Sequence, residues 1–383
     1  MEYSELVRSI GKWLSETYRA FHRTPELDRH LPQTKARIEA VAAEIGVPLR
    51  ECAGGLVAFL PGGGGAGIVL RADMDALPVT EATGLPWSSQ IPGQMHACGH
   101  DAHVTMALGA LKLLKGRKLP GPLTVCFQPA EETTGGAKPM IDAGAVGRAG
   151  MAFALHVAPW LDVGIVGAAS GAVLASSDTF SVTISGRGGH GASPHLAVDP
   201  VVAACRAVDA LQTVVSRTSR PSDGVVVTVG SFHAGSAGNV IPEDARFDGI
   251  IRTLSRDGRV RAKEAVRRVA EYTANSCGAS AAVSFVESYP AVINDPRAVQ
   301  LVQAVARRCG VQSVTPPEPS MTCDDFAYFC QALPSCYAHL GCRHPGETDA
   351  AGLHSSRFRL DESCLPLGTA LLCELAAAGA PCE

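Results

Sequence analysis

A chain of 383 residues exceeds the length at which one hydrophobic core stops growing, so two domains are expected, and an apolar content of 46% supplies both cores. A formal net charge of -4 leaves no electrostatic footprint for nucleic acid or an anionic membrane, and no apolar run reaches the length of a membrane span. Thirteen cysteines, an odd number without any C-x-x-C pair, fit neither a disulfide framework nor a zinc ribbon, so a reducing cytoplasm is the expected setting.

The first segment, MEYSELVRSIGKWLSETYRAFHR, has the pattern of an amphipathic helix and lacks the apolar stretch and cleavage site of a signal peptide. To about residue 175, short β-branched runs alternate with helical ones, which predicts an α/β fold on a mixed, largely parallel sheet. Strands are expected at Gly67 to Asp73, Leu123 to Pro129 and Met151 to Val157. A helix is expected from Ala102 to Lys115, with Asp101 as N-cap and Gly116 as stop, because Met106, Ala110, Leu111 and Leu114 recur at helical spacing. The run Gly62 to Gly67 satisfies G-x-G-x-x-G but feeds a strand where a pyrophosphate site needs a helix N-terminus, so it is expected to be a flexible turn. Ser170, Ser176 and Ser177 lie in no G-x-S-x-G elbow, which removes a serine-hydrolase context.

From Asp178 to Ala291 the order changes. Strand Phe180 to Ser185, helix Val198 to Ser216, strands Val225 to Ser231 and Ala245 to Leu254, helix Arg261 to Cys277 and strand Ala281 to Ser288 make a ferredoxin-like β-α-β-β-α-β unit. Helix and strand alternation then resumes, so the unit is expected as an insertion, with residues 1–177 and 292–383 forming one domain around 178–291. The basic residues Arg256, Arg259, Arg261, Lys263, Arg267 and Arg268 fit the solvated face of a helix. Eight cysteines between Cys309 and Cys382 fall mostly in apolar patterns, as small buried hydrophobes.

Chemistry concentrates in Met95 to His103, where nine residues hold three histidines, a cysteine and an aspartate. Imidazole and thiolate suit zinc or a neighbouring transition metal better than magnesium or calcium. Further candidates follow expected strands: Asp73 and Asp75 after GIVLR, Glu131 and Glu132 after TVCFQPA, and His156 after AFAL. These are carboxyl ends of strands, where ligands of open α/β sheets bind. In an extended segment Glu131 and Glu132 would point oppositely, so that one could bind metal while the other serves as general base. Taken alone, the Glu-Glu pair fits a solvated helix start better.

The strings RADMDALP, HACGHDAH, FQPAEE, GGHGASPH, GNVIP and LHSSRF, in this order along nearly the whole chain, resemble the di-metal aminoacylase and carboxypeptidase family. The similarity is to its amidohydrolase branch, which includes hippurate hydrolases and hydrolases of indole-acetyl amino acids. The resemblance implies a catalytic domain interrupted by a lid domain that mediates dimerisation. Carried over by position, it implies metal ligands Cys98, His100, Glu132, His156 and His354, with Glu131 as general base. Five ligands fit two divalent ions (zinc, manganese, cobalt or nickel) better than one. Where other branches carry a His-x-Asp ligand, this chain reads Asp73-Met74-Asp75, which leaves Cys98 as substitute ligand and Asp75 as an orienting group; Asp73 stays open as a sixth ligand. His190 resembles the family histidine that reaches a neighbouring subunit's site and stabilises the oxyanion, and Asn239 and Arg252 resemble the residues that hold the substrate carboxylate.

His96, His103 and His195 are expected as structural residues or as partners orienting a ligand. Two departures, Asp324 where the family commonly has Glu and Ser356 where it has Pro, bear on specificity, since the first shortens a side chain near the substrate pocket. The expected reaction is hydrolysis of an N-acyl amino acid by metal-activated water with Glu131 as base, in a homodimer or higher homo-oligomer. A dipeptidase or carboxypeptidase with the same centre, and a non-catalytic metal-binding relative, are the alternatives.

Overall fold

The computed structural model describes residues 3–380; Met1 and Glu2 of the expected first helix, and Cys382, lie outside them. The chain divides into two compact units. One comprises the chain through Gly171, Ile293–Glu318 and the chain from Asp324 on; the other comprises Ala172–Val292 with Pro319–Cys323.

The first unit is built on an eight-stranded mixed sheet. Its centre, in spatial order Leu123–Gln128, Gly67–Asp73, Ala149–Asp162 and Ser335–Arg343, is wholly parallel. Leu49–Cys52 and Gly55–Leu60 extend one side antiparallel, and Ile165–Gly167 and Gln312–Val314 extend the other. Continuous apolar runs such as Ile68-Val69-Leu70 belong in a sheet covered on both faces, and every residue of Gly67–Asp73 is buried. The helix His100–Leu114 is apolar nearly all round because it lies between that strand and the outer helices Gly11–His22 and Cys364–Ala378. The N-terminal segment is helical as Tyr3–Leu6, a 3-10 turn Val7–Ile10 and Gly11–His22, and buries Leu14, Tyr18 and Phe21.

Two local expectations are corrected. Asp101 does not cap the helix. The helix starts at His100 behind Gly99, whose φ of +83° is left-handed and where a Cβ would stand 2.3 Å from Val157 Cγ2. Asp101 lies inside the first turn with its carboxylate on His22. The Gly62 to Gly67 run is not a loose turn either: Gly63 and Gly65 donate to Leu119 O and Pro120 O, and a Cβ on Gly62 would meet Gly121 O at 2.0 Å. Its glycines serve close backbone packing.

The second unit is a four-stranded antiparallel sheet in the order Val226–Ala234, Asp244–Arg252, Asp178–Ser185, Ser280–Glu287, packed against the helices Pro200–Thr213 and Arg256–Ser276. Burial alternates along Asp178–Ser185, with Phe180, Val182 and Ile184 facing the helices. The first helix passes into a π turn at Val214–Thr218. A short ribbon, Gly189–His190 with Val240–Ile241, is added to the expected pattern. Part of the basic run is internally paired: Arg259 reaches Asp178 at 2.7 Å, Arg261 reaches Asp223 at 2.8 Å, and Lys263 reaches Glu287.

Candidate metal centre

Four separate segments of the first unit deliver polar side chains to one place. Cys98, His100 and Glu132 hold Sγ, an imidazole nitrogen and a carboxylate oxygen within 4.8 Å of one another. His156 Nε2 stands 3.5 Å from Cys98 Sγ, and His354 Nε2 stands 3.2 Å from Glu132 Oε1. All five residues expected as ligands are thereby brought together. Glu131 is placed elsewhere, grouped with Asp324 and Asp325. The two glutamates diverge for a reason other than strand alternation: Ala130 has φ +58°, and Glu131 and Glu132 occupy the turn that follows.

Hydrogen bonds fix which nitrogens can bind a cation. His100 Nδ1–H donates to Asp75 O at 2.8 Å, and His156 Nδ1–H donates to Val157 O at 2.8 Å, leaving the Nε2 lone pair of each for a cation. His103 differs. Its Nδ1–H donates to Asp73 at 2.5 Å and its Nε2 accepts from Val157 N–H at 3.0 Å, so both nitrogens are committed and it is no ligand, despite lying among the histidines. It locks Asp73, whose Oδ2 stands 3.6 Å from His100 Nε2.

The buried donor set fits cations. His100 Nε2 is buried without a hydrogen-bond partner, and it lies 3.8 Å from Glu132 Oε1, which His354 approaches from the other side at 3.2 Å. Burial opposes charge on His100, but Asp73 and Asp75 outweigh it and raise its pKa to about 10; the field that draws a proton there also draws a metal ion. Burial, then Glu132 and Glu131, push the Cys98 thiol well above its ordinary range, so a thiolate needs positive charge beside it. Burial with His103 keeps His156 neutral, as a ligand must be. His354 is half-exposed, with φ +64°, and its pKa is raised by the bond to Glu132.

Asp75 orients more than one group. Its carboxylate accepts from Glu131 N–H and Glu132 N–H, each at 3.0 Å, while its carbonyl holds His100. Burial, followed by Asp324 and Glu132, pushes the Glu131 carboxyl well above the usual range, so an ionised Glu131 needs positive charge nearby.

The remaining expected residues lie in the second unit. His190 pairs with Val240 in the short ribbon, and Gly191 N–H donates to Asn239 O at 2.8 Å, so His190 and Asn239 are neighbours. Arg252 is not with them. It ends the strand Asp244–Arg252 whose opposite end adjoins the ribbon, and eight steps of strand separate those ends by about 26 Å. One copy of the chain therefore does not bring Asn239 and Arg252 to the same carboxylate.

Known proteins resemble this chain along nearly its whole length. Residues 69–378 match the model of peptidase family M20/M25/M40. The chain belongs to that family. Within M20 it is 35% identical over 371 residues to thermostable carboxypeptidase 1 of Saccharolobus solfataricus, covering 94% of each chain. It is 36% identical over 373 residues to the IAA-amino acid hydrolase ILR1-like 5 of Arabidopsis thaliana, covering 95% of this chain and 86% of that one. Its structure is similar to that of the Bacillus subtilis YXEP protein, described as a dinuclear metal binding peptidase from the M20 family, with TM-score 0.86, 32% identity and coverage of 97% and 98%. The chain is thus a metal-dependent amidohydrolase of the M20 family, and its site is one for divalent metal.

Several residues of this M20 centre escape a reading of the sequence. Arg71, buried in the middle of an apolar strand, pairs with Asp73, with Asp324 at 3.0 Å and with Asp325 at 2.9 Å. Asp324 therefore belongs to this buried network beside Glu131. Gln128 and the N–H groups of Gly136 and Ala137 hold Asp325. A charge inside an otherwise apolar strand was the available signal. His22, on the buried side of its helix, donates to Asp101 at 2.6 Å and approaches Glu81 at 3.3 Å, and its spacing from Leu14 and Tyr18 marked it as inward-facing. His96 is buried with neither ring nitrogen hydrogen-bonded. His195 lies in the exposed turn Pro194–Leu196.

Proposed function

We propose that this M20 chain hydrolyses the amide bond of N-acyl amino acids, releasing a carboxylic acid and a free amino acid. The support is the pairing of a five-residue donor set with a separate buried carboxylate, Glu131, since a passive metal site has no use for the second. Cys98, His100, Glu132, His156 and His354 would hold two divalent ions of the zinc, manganese, cobalt or nickel kind. When bound, these supply Lewis acidity to the acyl carbonyl and acidify the attacking water. Glu131 Oε takes a proton from that water as its oxygen adds to the carbonyl carbon, then gives it to the leaving nitrogen as the C–N bond breaks. Asp75 keeps Glu131 and Glu132 in register for these separate tasks.

Residues 178–291 serve in this proposal as a lid and dimerisation domain. His190 and Asn239 from a second copy complete the oxyanion and carboxylate sites of a centre whose own chain contributes Arg252, an assignment supported by the separation of Asn239 from Arg252 along one strand. Cytoplasmic residence accords with thirteen cysteines and no C-x-x-C pair.

Glu131→Gln tests the mechanism. Metal content should stay at the wild-type stoichiometry while turnover of N-acetyl, N-benzoyl and indole-acetyl amino acids falls at least about a hundredfold. Near-normal turnover in this variant removes Glu131 as base. Because a carboxypeptidase is among the relatives, dipeptides belong in the same panel, and faster cleavage of dipeptides than of every N-acyl amino acid would favour that second reading. Metal bound with no cleavage of any member would mark a non-catalytic relative.

A further inference from the structure

Of the five donors, His354 is the one that packing does least to hold. Its side chain is 54% exposed, and its φ of +64° is a left-handed conformation that a residue other than glycine keeps only where its surroundings impose it. Backbone bonds on either side do the holding. His354 N–H donates to Ala97 O at 2.8 Å, one residue before Cys98, and Ala82 N–H donates to Ser356 O at 2.8 Å. The first anchor belongs to the loop that already carries Cys98 and His100. The second belongs to the segment from Glu81 to Gln90, which contains no helix or strand and supplies none of the five donors.

The helix Gly11–His22 keeps that segment in place. His22 is buried, its Nδ1–H donates to Asp101 at 2.6 Å, and its Nε2 stands 3.3 Å from Glu81 Oε1. A carboxylate facing each ring nitrogen calls for an N–H on each. With its other oxygen Glu81 accepts from Ser89 N–H at 2.6 Å and so closes the segment on itself, one residue before Gln90 N–H donates to Arg23 O at 2.8 Å. One turn earlier on the same helix, Arg19 lies over the Trp87 ring at 3.9 Å and pairs with Glu362 at 2.8 Å, beyond His354 in the chain. Asp101, the other partner of His22, sits in the first turn of the helix that begins with His100. His22 is thus a point where the support of His354 meets the helix of His100.

We propose that His22 is a positioning residue for His354. By holding Glu81 it fixes the segment whose Ala82 N–H supports Ser356 O, and by holding Asp101 it ties that segment to the helix that presents His100, so that His354 keeps its place beside Glu132. This rests on His354 being a metal donor, as in the function proposed above. A His22 that merely filled the core would act on folding alone, since its hydrogen bonds go to Asp101 and Glu81 and not to a donor.

The test titrates the full chain, freed of metal, with cobalt(II) and follows binding by calorimetry in wild type, His354→Ala, His22→Gln, Glu81→Gln and the double variant His22→Gln/His354→Ala. His354→Ala should weaken one binding step and spare the other. His22→Gln, which offers one donor group in place of two, and Glu81→Gln should weaken that same step about 10–100-fold. The double variant should bind no more weakly than His354→Ala, because both substitutions remove one interaction. Glu81→Gln keeps the shape of its side chain and decides the outcome if His22→Gln does not fold. Selective loss in His354→Ala with none in His22→Gln or Glu81→Gln overturns the positioning and leaves the donor assignment standing. Equal losses at both steps, additive losses in the double variant, or a lower urea midpoint at wild-type affinities mark His22 as structural and overturn it as well. Wild-type affinities in His354→Ala remove His354 from the donor set, and the positioning falls with it.

Discussion

Asp75→Asn probes the hinge between metal binding and proton transfer. Asp75 is buried, and its two oxygens accept from Glu131 N–H and Glu132 N–H, each at 3.0 Å, while its carbonyl takes the His100 Nδ1–H at 2.8 Å. Asparagine keeps the shape and the carbonyl but leaves one side-chain acceptor, so one N–H of the turn faces an NH2 group. A hydrogen bond to a charged group contributes about 1.5–3 kcal/mol, and an unsatisfied buried donor costs about 1–3 kcal/mol. We expect roughly 3 kcal/mol lower folding stability by urea titration. Loss of a group that orients ligands typically lowers metal affinity about 10–100-fold, and that range is expected in a competition with a chelator. At saturating metal, kcat should still be reduced, because Glu131 hangs from the same carboxylate. Wild-type affinity and kcat together with the lost stability would show that Asp75 only folds the turn and would refute its orienting role.

Two further outcomes can be measured independently. Burial opposes a charge on His22, but its bonds to Asp101 and Glu81 outweigh this and raise its pKa from 6.5 to about 10. With the folded value above the unfolded one, the stabilisation is complete below about pH 6.5 and is lost as pH rises through 10, on the order of a few kcal/mol. Urea midpoints of wild type should therefore fall more steeply between pH 7 and 10 than those of His22→Gln, and parallel profiles would dismiss a charged His22. Mixing His190→Ala with Glu131→Gln, each inactive alone, should recover activity after subunit exchange, because a mixed dimer pairs an intact centre with an intact His190. A mixture as inactive as its components would place His190 in its own chain's site or in none.

How far the sequence discloses this centre depends on whether a residue's purpose is local. Cys98 and His100 stand out because they share nine residues with two further histidines and an aspartate, and Glu131 and Glu132 because they follow an apolar strand directly. Gly99 does not stand out, since what requires a glycine there is Val157, 58 residues later, together with a left-handed backbone. Asp101 looks like a cap for the same reason: cap geometry is local and its true partner, His22, is not. Strand and helix positions follow from periodicity, and Gly67–Asp73 is read to the residue. The divergence of the two glutamates is anticipated from the wrong cause, because a turn opened by Ala130 at positive φ has no signature in the residue types.

Charge balance ties these observations together. Asp73, Asp75, Glu131, Asp324 and Asp325 are buried, Glu132 is nearly so, and a single buried guanidinium, Arg71, lies among them. Burying a carboxylate without compensation costs several kcal/mol, and Arg71 is already shared by three of the six. The histidines close only part of the gap: His100 and His354 attract a proton, but His156 is held neutral and His103 already uses its Nε2 as an acceptor. Two divalent cations would bring four positive charges, enough with Arg71 to offset most of the carboxylates and a Cys98 thiolate. The two networks are distinct: Arg71 pairs with Asp324 and Asp325, whereas Cys98, His100 and Glu132 have no guanidinium beside them and would be left to the ions. A scaffold held by the first network can keep its shape while the second one loads, which is what a preformed metal site requires.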